Sequence, residues 1–415
     1  MINLKLREYN IEKDFEKVYQ IWQEVGWIKD DEKQKKALRH FTKGGKGTVA
    51  LLNNNVEGYV NSTPGNYQYL DQELSLQAIT SVTISRVARK QRLATKTTAE
   101  VIAEAASRGV NVSALGMFEQ GFYNKLGYGT GSYENLISFD PDHLNIETRT
   151  KIPERITINN FSDIHKARVT RKKRHGYCTL LPKDITNADI LFGEKNPFGL
   201  GFRNKDGSIS HHILFRPEND LHGPYFVKWM TFNNREQFLD LINIIRNLGD
   251  QVHLVKLWEP AGIQFQNLIK KPYKDSQVTK NSKYEVNNRA TAYWQLRILN
   301  LKDCIKKTTL TNKSVEFNLK LYDPIEKYLD DNSPWQGLTG NYNLTLGKNS
   351  KIENGLKDKL PTLETDINTF SRMWIGAVKP SLLPFTNHFK APKSLINQLD
   401  EVFSIVPTPK IDWDF

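Results

Sequence analysis

The stretch "SVTISRVARKQRLATKTTAE", residues 81–100, limits the possible folds of this chain more than any other. Val82 and Ile84 close an alternating strand, and a short basic loop leads straight into an Ala- and Thr-rich helix. That helix runs from Leu93 to Ser107 and is closed by Gly109, after which "VNVSAL" reads as a buried strand. Strand, loop, helix, strand is the repeating unit of an α/β fold. The loop runs straight into the helix, so the first N–H groups of the helix have no partner and face the loop. Orphan donors and the helix dipole favour an anion there, phosphate above all, and Arg86, Arg89, Lys90 and Arg92 add positive charge.

The rest of the chain repeats this architecture loosely. The start reads as a strand from Leu4 to Arg7, a cap at Asn10 and a helix with Phe15, Val18, Tyr19 and Trp22 on one face. "GTVALLNNNVEGYV" and "ELSLQAITSVTI" form an antiparallel meander around an Asn-rich turn. A second unit begins near Ile152, where strand, Asn and helix recur. "VKWMTFNNREQFLDLINIIRNLGDQVHLVKL" then gives strand, a cap at Asn233 with Glu236 three residues on, helix and strand. Residues 269–292 read as a linker or surface loop. "YWQLRILNL" opens a third unit as a strand, with further strands in "SVEFNLKLYD" and "LTGNYNLTL". Two amphipathic helices follow, one presenting Ile367, Phe370 and Trp374, the other Leu395, Leu399, Val402 and Phe403. The expected divisions are residues 1–150, 151–290 and 291–415.

A length of 415 residues suits two to four domains. No apolar run approaches the ~20 residues of a membrane span. The N-terminus lacks the apolar core of a signal peptide, so the chain reads as cytoplasmic. Cys178 and Cys304 have no metal or redox spacing, and the nine histidines contain no zinc motif, so no metal is expected. A net charge of +12 is compatible with nucleic acid or a phosphorylated ligand, but no recognised nucleic-acid motif accompanies it. The densest basic cluster, "ARVTRKKRHG", reads as a solvated helix face.

Two further segments carry chemistry. "EQGFYNKLGYG" places Tyr123 in a short helix ended by Gly127, where core packing is the plainer reading for the residue alone. The final "PTPKIDWDF" ends on Trp413, Asp414 and Phe415, an unusual terminus because chain ends are ordinarily polar and frayed. If those aromatics are buried, the α-carboxylate is buried with them and needs a partner or a chemical role.

Taken together, the basic turn, the helix, the strand and F-Y-x-K-x-G-[YF] resemble Gcn5-related N-acetyltransferases (GNATs), whose Arg/Gln-x-x-Gly-x-Gly/Ala turn binds the pyrophosphate of coenzyme A. Arg89 to Ala94 match that turn, except that Arg92 stands at the usual glycine. Helical dihedrals are expected there, with the guanidinium free to contact phosphate. The whole chain resembles the Eis (enhanced intracellular survival) branch: two tandem GNAT-like mixed-sheet domains, the second without cofactor, then a sterol-carrier-protein-like α+β domain. "SVTISRVARKQRLAT", "FEQGFYNKLGYG", "YWQLRILNLKDCI" and the terminal "WDF" carry the likeness.

The resemblance implies acetyl-CoA as co-substrate, contacted by Val82, Thr83 and Ile84 at the strand end. Arg89, Lys90, Gln91, Arg92, Leu93, Ala94 and Thr95 would complete the contacts in the turn. It implies the Phe415 carboxylate as general base and Tyr123 as general acid, acting on a primary amine of a cationic acceptor such as an aminoglycoside, a polyamine or lysine. Trp27 and Asp30, after the first helix, and Asp414, in the tail, are the candidate acceptor contacts; such an acceptor needs a locally acidic pocket. Self-association, as a homohexamer, is also implied. A degenerate cofactor site with a lipid- or small-molecule-carrier role is the alternative.

Overall fold

The computed structural model describes residues 4–147, 151–193, 195, 197–272 and 280–413. Strand β1 (Leu4–Glu8) leads to α1 (Ile11–Glu24), where Asn10 accepts the N–H groups of Glu12 and Lys13, and then to α2 (Glu32–Lys43). The meander is β2 (Lys46–Leu52), β3 (Asn55–Tyr69) and β4 (Gln72–Ile84). Asn53 and Asn54 make its first turn at φ of 50° and 67°, the left-handed region that two-residue hairpin loops require. Helix α3 (Leu93–Ser107), β5 (Val112–Gly116), α4 (Gln120–Asn124), β6 (Gly129–Thr130) and β7 (Glu134–Phe139) follow.

The middle of the chain forms β8 (Glu154–Ile156), α5 (Phe161–Thr170), β9 (Cys178–Leu180) and α6 (Lys183–Leu191). It continues through β10 (Phe198–Arg203), β11 (Ile209–Pro217), β12 (Tyr225–Thr231), α7 (Arg235–Arg246), β13 (Val255–Trp258) and β14 (Asn287–Thr291). The last part contains β15 (Trp294–Ile298), α8 (Leu301–Lys306), β16 (Val315–Tyr322), β17 (Gly340–Leu346) and β18 (Lys351–Asn354). It closes with β19 (Thr362–Asp366), α9 (Ile367–Trp374), β20 (Phe389–Lys390) and α10 (Lys393–Val402).

Three mixed sheets organise these elements into two GNAT-like units and a C-terminal α+β domain. The first has eight strands in the order β1-β2-β3-β4-β5-β15-β6, with β9 added against β3. The second runs β14-β7-β13-β12-β11-β10-β8 and the third β18-β17-β16-β19-β20.

Pairing therefore cuts across the divisions expected at residues 150 and 290. The strand expected to open the third unit, β15, lies between β5 and β6 of the first sheet. β7 joins the second sheet, where it pairs with β14, a strand inside the segment read as a linker. The reason is edge satisfaction: β5 has β4 on one side only, and β15 supplies the other row of hydrogen bonds. One apolar cluster accordingly extends from Phe15 and Trp22 to Phe370, Trp374 and Trp413, joining the two ends of the chain.

A local correction concerns α7. Its cap is Asn234, whose side chain accepts the N–H of Gln237, while Asn233 Oδ1 accepts the N–H of Lys172 instead. The second cysteine and the first are both buried.

Candidate active site

Strands β4 and β5 run parallel, but only residues Leu76 to Ile79 of β4 pair, with Val112 to Leu115. Beyond that point β4 continues to Ile84 while β5 stops at Gly116, so the strands part at their carboxyl ends. The facing edge of residues 80–84 has no strand partner among the described residues, leaving backbone N–H and C=O groups open to a ligand. A bulge marks the same place: Asn61 pairs with Ser81 and Ser62 with Ile79, so Thr80 is the extra residue. Bulges re-aim side chains. Thr80 accepts from Asn61 Nδ2 at 3.0 Å and lines a cleft described below.

The basic turn follows directly. Arg86, Arg89, Lys90, Gln91 and Arg92 are exposed, and no side chain caps the start of α3. That is the donor set phosphate requires, so the turn fits the pyrophosphate of a nucleotide-type ligand. Arg92 departs from expectation. It is not helical but left-handed, at φ 61° and ψ 11°, the conformation in which glycine is the natural occupant. Leu93 is buried, and Ala94 and Thr95 are partly so, at the first turn of α3.

Val82 packs against the apolar cluster that holds Tyr123, Leu126 and Tyr128, so the strand end and α4 share one core. Tyr123 is 3% exposed, its ring edge-on to Phe122 at 4.8 Å and to Phe118 at 6.2 Å. Burial pushes its phenol well above the ordinary range, with Tyr128 adding to the effect. It therefore keeps its proton at every physiological pH. Beneath α4, Arg297 and Asp323 form a fully buried ion pair of 2.7 Å, and Arg297 also donates to the Leu126 carbonyl.

The tail is buried and clasped as far as it is described. Ser132 Oγ donates to the Pro409 carbonyl, Lys410 Nζ to the Tyr133 carbonyl at 2.5 Å, and Ile411 N to Glu134 Oε1 at 3.2 Å. The same Glu134 oxygen accepts Trp294 Nε1 at 3.0 Å. Trp294 lies opposite Gly116, the last residue of β5, so the clasp sits at the end where β4 and β5 part. Glu134 is 2% exposed, and burial pushes its carboxyl up to about 7 against the pull of Lys410.

From the other side Arg171 Nε donates to Asp412 Oδ2 at 2.6 Å, and Cys178 N to Asp412 Oδ1 at 3.2 Å. The Arg168 guanidinium lies 3.6 Å from the Trp413 ring centre and 3.9 Å from that of Trp229, and pairs with Asp189 at 2.9 Å. The basic cluster read as a solvated face is thus divided: Arg168 and Arg171 are buried, because the tail and Asp189 supply partners from elsewhere. Asp414 and Phe415 lie outside the described residues.

Two cavities flank the Arg168 stack and share Lys228. One, beside the first sheet, contains Trp22, Trp27, Thr80, Phe192 and Asp189. Trp27, 46% exposed, stands edge-on to Trp22 at 5.1 Å. Lys29, Arg216 and Lys228 also line it, so it is not acidic. Asp30 does not line it: its carboxylate accepts the Tyr19 hydroxyl at 2.9 Å. The other cavity is formed by β12, the loop after β13 and tail residues Ile411, Asp412 and Trp413. Among the described residues no cluster of His, Cys, Asp and Glu could hold a metal, and no helix is long and apolar enough to cross a membrane.

The sequence profile of the acetyltransferase (GNAT) domain matches residues 5–131, the span containing the parted strands, the turn and Tyr123. These residues form a GNAT acetyltransferase domain. The complete chain shares its fold with a probable N-acyltransferase from Enterococcus faecalis V583, at a TM-score of 0.80 and 14% identity over all of both chains. A GCN5-related N-acetyltransferase from Anabaena variabilis ATCC 29413 gives 0.78 and 16%, and Eis1 from Mycobacterium abscessus 0.75 and 13%, each again over all of both chains. No curated protein sequence matches. Residues 5–131 therefore carry a GNAT acetyltransferase domain, for which acetyl-CoA is the implied co-substrate, and the complete chain has an Eis-like fold.

Within this GNAT frame, Val82 and Tyr123 share one apolar cluster at the strand that leads into the basic turn, the tail through Trp413 is held by Glu134, Arg168 and Arg171, and Asp30 is engaged by Tyr19. Sequence reasoning missed Glu134, Arg168, Arg171, Asp412 and the bulge at Thr80. The "IDWDF" segment held one available signal, since Asp412, a carboxylate between the apolar Ile411 and Trp413, calls for a cation, and "RVTRKKR" was the nearest rich source.

Proposed function

We propose that the protein transfers the acetyl group of acetyl-CoA to a primary amine, with the Phe415 carboxylate as base and Tyr123 as acid. What supports this reading is the clasp on the tail: Glu134 binds both Ile411 N and the indole of Trp294, whose backbone pairs with Gly116 at the end of β5. Coenzyme A supplies an activated thioester. The exposed basic turn and the uncapped start of α3 hold its pyrophosphate, and the open N–H groups along residues 80–84 polarise the carbonyl. An amine attacks only when neutral, and a lysine-like ammonium has a pKa of about 10.4, so a base must take its proton. As the C–N bond forms and the C–S bond breaks, Tyr123 donates to the departing thiolate.

Trp27 walls the acceptor side. Three basic residues to one acidic in that cleft count against a polycation among the acceptors the family resemblance suggests. We read the domains as 1–150, 151–290 and 291–415 in function, despite the shared sheets, the last being sterol-carrier-like. We read the assembly as a homohexamer in the cytoplasm; light scattering tests the assembly.

The test is thiol release from acetyl-CoA over an amine panel, comparing wild type, Tyr123→Phe and a chain lacking Phe415. Both variants should retain the fold and lose roughly 10²-fold or more in kcat. Unchanged turnover in both sinks the mechanism. Calorimetry showing no acetyl-CoA binding sinks the acetyltransferase reading itself and leaves a carrier role.

A further inference from the structure

The cavity beside the tail has a charge pattern that the reaction alone does not explain. Its two carboxylates are already engaged: Asp412 by Arg171 and Cys178 N, Glu259 by Asn135 Nδ2 at 2.8 Å and Phe265 N at 2.9 Å. Among the described residues, a cation entering it finds no carboxylate without a partner. The positive groups are placed differently. Lys172 and Arg174 line the cavity without a carboxylate partner among the described residues, Arg174 donating only to the Ala261 carbonyl at 2.5 Å and lying 5.5 Å from the Phe232 ring. Around them stand Tyr177, Trp229, Trp258, Tyr293 and Trp413, flat walls that suit a planar apolar group.

We infer that this cavity binds an anionic group of the acceptor, so that the substrate is a primary amine bearing a carboxylate or phosphate across a flat apolar spacer. The inference rests on the acetyltransferase reading for the amine end. Trp413 forms part of the cavity, so the tail that carries the proposed base also lines the anion site. One molecule then presents its anion to Lys172 and Arg174 and its amine towards the tail, and the aromatic walls favour a flat spacer of benzyl size. Arg174 recognises the anion through its planar fork and Lys172 as a point charge. Both are specificity residues; neither touches the reacting atoms.

The test uses the full chain saturated with acetyl-CoA and four matched amines: benzylamine, 4-(aminomethyl)benzoate, 4-(aminomethyl)phenylphosphate and 1,4-diaminobutane. The two anionic amines should exceed benzylamine at least tenfold in kcat/KM, and their ratio tells carboxylate from phosphate. In Lys172→Ala/Arg174→Ala that advantage should fall towards one through KM. Calorimetric titration of benzoate and phenylphosphate into the saturated protein gives a readout independent of turnover, with binding expected in wild type and lost in the double variant. Preference for diaminobutane, no anion binding, or an advantage that survives in the double variant overturns the inference. Anion binding without acetylation of any amine upholds the anion site and overturns the acetyltransferase reading.

Discussion

Glu134 accepts the backbone N–H of Ile411, joining two residues 277 positions apart in a buried site. Because its carboxyl is raised from 4.5 to about 7, the folded protein keeps this proton over a range in which the unfolded chain has lost it. The associated stability is fully present below pH 4.5 and is lost as pH rises through about 7. The loss is on the order of 3 kcal/mol at most. Glu134→Gln keeps an acceptor for Trp294 and Ile411 but cannot titrate. Urea midpoints between pH 5 and pH 8 should therefore fall less in the variant than in wild type, and equal pH slopes contradict this account.

Gly176 offers a way to dislodge the tail without altering it. A Cβ built there lies 2.3 Å from Lys410 N and 2.6 Å from Lys410 O, and the backbone φ of +95° disfavours any side chain. Gly176→Ala should lower acetyl transfer at least tenfold while acetyl-CoA binding, measured by calorimetry, stays close to wild type. Full activity in the variant argues that the clasped tail plays no part in turnover.

Arg92 is a strained residue in an exposed turn. A left-handed conformation costs a non-glycine residue about 1–2 kcal/mol, which glycine avoids while losing part of the gain to its larger unfolded-state entropy. Arg92→Gly should thus stabilise by up to about 1 kcal/mol, and Arg92→Val, whose branched Cβ fits that region worst, should destabilise. Thermal midpoints in the opposite order show that the turn does not hold this geometry.

The Arg297–Asp323 pair underpins the Tyr123 helix from a fully buried position. Removing one partner leaves an uncompensated buried charge, so Asp323→Ala should cost about 3–5 kcal/mol. Arg297 also donates to the Leu126 carbonyl, three residues beyond Tyr123, so the destabilised variant should lose activity ahead of global unfolding. Activity and tryptophan fluorescence followed together in urea check this; coincident loss excludes the local effect.

The C-terminal carboxylate can be tested by a short tag after Phe415, which converts it to a neutral amide. Activity should fall with the circular dichroism spectrum unchanged, and a fully active tagged protein removes the base from the mechanism.

Local chemistry wrote several features directly into the sequence. Asn10 as a cap, the Asn53-Asn54 turn, the helix from Leu93 to Ser107 and the phosphate-ready loop before it depend on neighbours within a few residues. The aromatic tail also announced the burial of Trp413, because an indole beside a carboxylate does not stay in water without a reason.

Tertiary structure alone decided which distant partners these pieces met. Nothing in the alternation of "YWQLRIL" tells that β15 completes the first sheet, since a strand's period fixes its faces but not its neighbour. Arg168 and Arg171 read as solvated until Asp189 and Asp412, the latter 241 residues from Arg171, make burial of their charge affordable. Arg92 looks helical by composition and is left-handed because the loop must turn β4 into α3 within a few residues. Each is a non-local constraint, set by chain closure and shared desolvation, which a linear sequence carries but does not display.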